Sequence, residues 1–188
     1  MKDLSLHILD LVQNSVSAGA TRIKVVLKAD TAEKILQVLI DDNGAGMDRE
    51  LLERVTDPFA TTRTTRRVGL GLPLMQASAE RAGGRLEIVS EKGRGTQVRA
   101  YFGIDNIDRP PLGDVAGTVF QLMVSEPSRQ ISLEMDNGSE VYRFDASEIR
   151  EKLGEVPVTE YSVMNWIVEY LNEGIKEIFG GVLNEVVS

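Results

Sequence analysis

Apolar residues recur at helical spacing at the start of the chain. Leu4, Ile8, Leu11, Val12 and Val16 share one face, which predicts an amphipathic helix over 4–18 ending near Ala18-Gly19-Ala20. The period then shortens. Segment 22–28 alternates Ile23, Val25 and Leu27, and 35–40 is almost continuously apolar, as a strand covered on both faces would be. Residues 41–47 break that strand with two glycines, 48–55 suit a short helix, and 57–68 reads as a polar, threonine-rich, basic loop. Helical periodicity returns over 72–82, with Pro73 tolerated in the first turn. Strands are expected at 85–90 and 97–102 around the turn 91–95. These elements predict an α+β fold, a mixed sheet covered by helices.

Pro110 and Pro111 mark 105–113 as a linker. Beyond it, 117–125 and 129–135 read as strands, and Asp136-Asn137-Gly138 as a type I′ hairpin turn before a third strand at 139–144. Asp145 with Glu148 has capping-box character and opens a helix to about Leu153. A longer helix over 160–179 ends at Gly180-Gly181. On it Val163, Ile167, Leu171, Ile175 and Ile178, with Trp166 and Tyr170 nearby, form a stripe that serves either as core or as a dimer contact. The division expected is 1–104, a linker 105–113, and a small hairpin/helix extension 114–188 for packing, dimerisation or partner binding.

Charge supports that division. Residues 1–104 hold 15 Lys/Arg and 13 Asp/Glu, whereas 105–188 hold 6 and 16, so a chain of net charge −8 keeps its acidic surplus in the second part. With 42% apolar and 27% charged residues in 188, the composition is globular. The absence of cysteine excludes disulfides and thiolate chemistry, and a single histidine excludes multi-histidine metal sites. No basic segment followed by an apolar run opens the chain, and the most apolar long segment is interrupted by Glu169, Glu173, Lys176 and Glu177. A cytoplasmic protein with no membrane span is expected, and nucleic acid is not an expected partner.

Four segments carry chemistry. Asp10 and Asn14 project one turn apart from one helical face, where a carboxylate and an amide oxygen can converge on a hydrated cation. Asp42-Asn-Gly-Ala-Gly46 follows the second strand, and Gly44 and Gly46 permit positive φ and close backbone approach. Gly69-Leu70-Gly71-Leu72 opens a helix, whose first amide groups suit a phosphate. Gly93-Arg-Gly-Thr96 precedes the last strand of the first part. A Rossmann fingerprint is excluded at Gly69, because no strand immediately precedes it.

In order and spacing these segments resemble the N, G1, G2 and G3 boxes of the GHKL superfamily of gyrase, Hsp90, histidine-kinase and MutL ATPases, over residues 4–102. The resemblance implies a Bergerat-type two-layer α/β sandwich with ATP and Mg²⁺ as cofactors. It implies Asn14 as Mg²⁺ ligand, and Asp10, where the family usually has Glu, as general base and water-mediated metal ligand. Asp42 and Thr96 are implied as adenine contacts. Gly44, Gly46, Gly69, Leu70 and Gly71 are implied beside the nucleotide, and Phe59 matches the F-box aromatic. The resemblance makes the stretch Thr61-Thr-Arg63-Thr-Thr-Arg66-Arg67 the ATP lid, and implies that Arg63, Arg66 or Arg67 contacts the terminal phosphate once the lid closes. The opening Leu6-His-Ile-Leu-Asp10 resembles small stand-alone bacterial histidine-kinase-like ATPases. His7 is expected to pack or hydrogen-bond near Asp10. The function expected is transfer of the γ-phosphate to a protein serine or histidine in signalling, with ATP sensing or slow hydrolysis coupled to dimer closure as alternatives. ATP, an unidentified protein partner and a possible homodimer complete the expectation.

Overall fold

The structure is a computed structural model that describes residues 2–55 and 70–183. In chain order the elements are α1 (Leu4–Ser17), β1 (Arg22–Asp30), β2 (Ile35–Asp42), α2 (Arg49–Arg54), α3 (Gly71–Arg81), β3 (Arg85–Glu91), β4 (Gly95–Gly103), α4 (Val115–Ser125), β5 (Gln130–Asp136), β6 (Val141–Asp145), α5 (Ala146–Leu153) and α6 (Tyr161–Phe179). The strands make one mixed sheet in the order β3-β4-β2-β1-β5-β6. Every neighbouring pair is antiparallel except β1 and β5, which run parallel.

Strand alternation separates the two faces. Ile23, Val25 and Leu27 of β1 lie opposite Asp42, Ile40 and Val38 of β2 and opposite Ile131, Leu133 and Met135 of β5. This row is buried beneath α1, α3, α4 and α6, and it continues into Val98, Ala100 and Phe102 of β4. The opposite face is polar: Glu134 Oε2 accepts from Lys24 Nζ and Arg143 Nε, each at 3.1 Å. Burial chiefly of one face, with Val26 the buried exception on the other, is the signature of a two-layer sandwich. Among the described residues no helix is long and apolar enough to cross a membrane.

Local signals account for the helix ends. Asp3 caps α1 by accepting from Leu6 N. At the other end Gly19, at φ +76°, lets Gly19 N and Ala20 N reach the carbonyls of Val16 and Ser15, a Schellman closure that turns the chain into β1.

Three expectations change. Segment 117–125, expected as a strand, lies in α4. Its buried positions Val115, Ala116, Thr118, Val119, Leu122 and Met123 have helical spacing, and Asp114 caps it by accepting from Gly117 N. A continuous apolar run cannot distinguish a buried strand from a buried helix, and here the packing against α1, α6 and β5 selects the helix. The second part therefore contributes two strands, not three.

The hairpin between β5 and β6 is also different. Asp136 pairs with Val141, leaving a four-residue connection, and only Gly138 there has positive φ, whereas type I′ needs two such residues. Asn137 Oδ1 instead accepts from Ser139 N and Glu140 N.

Third, 105–113 is packed chain. Leu4 N and Ser5 N donate to the carbonyls of Pro111 and Leu112, Leu112 is buried, and Gly113 leaves no room for a Cβ against Asp3. One apolar core runs from Leu4 through β1 to Phe179.

Candidate functional site

Asp42 ends β2 on the inward face, opposite Thr96 at the start of β4. Its side chain is 8% exposed and held at both oxygens: Oδ2 accepts from Ser15 Oγ at 2.7 Å and Oδ1 from Gly44 N at 2.8 Å. A carboxylate oxygen has two lone pairs, so each still has one to offer a ligand. Thr96 is held in turn, its Oγ1 being 2.8 Å from Ser90 Oγ, which also accepts from Met47 N.

The two glycine segments press against each other by backbone. Gly46, at φ +64°, lies so close to the Glu91 carbonyl that no Cβ would fit. Gly93 N donates to Ala45 O at 2.7 Å and joins the two loops. Gly44 differs from expectation: it lacks positive φ, and its requirement is space, since a Cβ would come within 3.0 Å of Ala18 Cβ and Asp42 Oδ1. Asn43 ties the segment to β1 by accepting from Thr21 N and Arg22 N.

Between α1, the end of β2 and the start of α3 is a cavity of about 270 Å³. Asn14, Ser15, Asp42 and Thr96 supply its polar groups, and Ile40, Met47, Leu72 and Val98 apolar walls. A mainly apolar cavity with a few convergent polar groups suits a heterocycle. Gly46 lines it as well.

Asp10 and Asn14 meet the start of α3. A Cβ on Gly71 would stand 3.4 Å from Asp10 Oδ2 and 3.6 Å from Asn14 Nδ2, so both side chains border the first turn of that helix. Among the described residues no side chain caps this turn, as Leu70 occupies the N-cap position. Its amide N–H groups and the positive end of the helix dipole accordingly point beside a carboxylate and an amide, a donor set that fits a phosphate with a hard cation. Leu70 itself is 62% exposed. Phe59, Thr61, Arg63, Arg66, Arg67 and Gly69 lie outside the described residues.

His7 packs and hydrogen-bonds as expected, close enough to Asp10 for that carboxylate's charge to act on it. It is fully buried between α1 and α3 and its Nε2 lies 3.1 Å from Ser78 Oγ. It packs against α3 and hydrogen-bonds Ser78 rather than Asp10, its neighbour one turn along the same helix.

Ser15 and Ser90 were not among the expected site residues. Both leave a signal: Ser15 continues the buried stripe Leu4, Ile8, Leu11, and Ser90 continues the inward positions Leu86 and Ile88. A hydroxyl on an otherwise apolar face needs a partner, and these partners are site residues.

Known proteins give the same outline. Among relatives, the histidine protein kinase DivJ of Caulobacter vibrioides is 33% identical over 95 residues, 48% of this chain and 16% of that one. The DNA mismatch repair protein MutL of Chlorobium phaeobacteroides is 44% identical over 54 residues, 29% of this chain and 8% of that protein. This chain thus spans under a fifth of the length of either relative. The crystal structure of the N-terminal domain of a DNA repair protein shares the fold at TM-score 0.54 and 14% identity, covering 76% of this chain and 52% of the other. Residues 2–106 match the model of the histidine kinase-, DNA gyrase B- and HSP90-like ATPases, more than half of the chain, and the protein belongs to that family.

Proposed function

We propose that the protein binds ATP with Mg²⁺ in the cavity beside Asp42 and transfers the γ-phosphate to a serine or histidine of another protein in cytoplasmic signalling. The observation that carries the reading is the buried Asp42 carboxylate, fixed by Ser15 and Gly44 at the polar end of an apolar slot. A fixed acceptor there pairs with the exocyclic amino group of adenine and repels the oxo group that guanine has in its place. Thr96 supplies a hydroxyl on the facing strand.

Asn14, with Asp10 through water, would hold Mg²⁺, whose charge offsets that of the phosphates. The first turn of α3 receives phosphate oxygens on its N–H groups. Asp10 would take the proton that an attacking serine hydroxyl or histidine imidazole gives up: the new bond forms from acceptor to Pγ, the bond from Pγ to the β,γ-bridging oxygen breaks, and ADP leaves. The match to a protein named as a histidine kinase favours transfer over other fates of ATP.

Isothermal titration with ATP and GTP tests the nucleotide, and equal affinity for both defeats the role given to Asp42. Incubation with γ-labelled ATP and a cell lysate tests the transfer. A labelled protein band supports the kinase; tight ATP binding with no labelled band and no phosphate release replaces it with an ATP sensor.

A further inference from the structure

The outward face of α6 carries an aromatic row. Trp166 and Tyr170, one turn apart, stack with ring centroids 5.6 Å apart and planes 9° from parallel, and Tyr142 of β6 leans on Tyr170 at 5.4 Å. Gly174 makes room for this, since a Cβ there would come within 2.6 Å of the Tyr142 ring. Two of the rings remain open to solvent, Trp166 at 50% and Tyr170 at 37% exposure.

The same face bears Glu169, Glu173 and Glu177 at four-residue spacing, all exposed. None forms an ion pair among the described residues, and Lys176 is the only cation on the helix. Like charges one turn apart repel, so this stripe lacks its counter-charge. Its field reaches the rings: burial pushes the Tyr142 hydroxyl up from its ordinary value, and Tyr170, Glu173 and Glu177 push it further. Ring faces attract guanidinium and ammonium groups, and carboxylates pair with them. Both halves of this surface therefore select cations.

We propose that the Trp166, Tyr170, Glu169, Glu173 and Glu177 face of α6 docks an Arg/Lys-rich segment of a partner protein. A second copy fits poorly, because 105–188 carries 16 acidic against 6 basic residues and two such faces repel.

Trp166 is the only tryptophan, so its emission reports on this face alone. The full chain is titrated at low salt with unlabelled nona-arginine and, as control, nona-glutamate. A saturable change with nona-arginine alone is expected, weakened about tenfold or more by E169Q/E173Q/E177Q together and by Tyr170→Ala. The triple E148Q/E151Q/E155Q, which removes as many exposed charges elsewhere, stays within about twofold. Equal weakening by both triples means diffuse attraction and overturns the proposal, as does the absence of a saturable change. Light scattering that shows a dimer dispersed by Trp166→Ala gives the face to a second copy and overturns it too.

Discussion

The hydroxyl of Ser15 donates to Asp42 Oδ2 at 2.7 Å and joins the first helix to the end of the second strand. The bond fixes a carboxylate that lines the cavity and still has acceptor capacity left. Hydrogen bonds to charged groups contribute about 1.5–3 kcal/mol. Ser15→Ala is expected to lower ATP affinity by about tenfold while the fold persists, measured by titration calorimetry beside a thermal melt. Unchanged affinity would show that Asp42 holds its orientation without help.

Asp42→Ala removes the acceptor itself, strands the Gly44 amide and leaves the Ser15 hydroxyl only the Leu11 carbonyl at 3.3 Å. ATP binding should fall by about 100-fold or more, beyond the effect of Ser15→Ala. A circular-dichroism melt separates lost binding from lost folding.

Asp10 borders the first turn of α3 but is exposed and lies outside the adenine slot. Asp10→Asn is expected to leave ATP affinity within about threefold and to cut phosphoryl transfer by about 100-fold or more, the range for a general base. Quench-flow with labelled ATP reads the second quantity. Equal loss of binding and transfer would make Asp10 chiefly a binding group.

Gly46→Ala combines a left-handed backbone with a clash against the Glu91 carbonyl. Neither is relieved by a rotamer change, since both partners are backbone. A fall in melting temperature of roughly 5 °C or more is expected, with nucleotide binding lost in step.

Burial holds the His7 imidazole below its ordinary value of 6.5, and Arg81 adds to the effect, while Asp10 and Asp3 oppose it. Below 6.5 the unfolded chain takes up a proton that the folded one refuses, so stability declines as pH falls from there towards the folded value. Above 6.5 both states are neutral and this contribution is constant. In His7→Gln, which keeps a donor for Ser78, the acid-side decline should be shallower in melts between about pH 7.5 and 5.5. An identical slope would trace the decline to carboxylates.

Elements with clean periodicity were legible: the stripe of α1, the alternation of β1 and the inward row of β4 each report one buried face. The α4 run was not, because both its faces contain apolar residues and only the six buried positions reveal the helix. Asp42 and Thr96 were legible as separate motifs. That they face each other depends on the register of β2 against β4, which is set by long-range pairing. Ser15 and Ser90 were readable as polar interruptions of apolar faces, but their partners lie on other elements. The parallel pairing of β1 with β5 leaves no local trace, since a strand's neighbours are chosen by chain entropy and packing.

That pairing also governs how the protein is made. During synthesis Ile23, Val25 and Leu27 emerge well before Ile131, Leu133 and Met135, the residues that will lie beside them. Until β5 is translated, β1 has a bare strand edge, the kind of surface on which nascent chains stick to one another. A polypeptide stopped after residue 106 would retain the entire family match and keep that edge permanently. The acidic second part therefore covers an edge that the first part alone would leave bare, and shortened versions should be recovered mainly as aggregates.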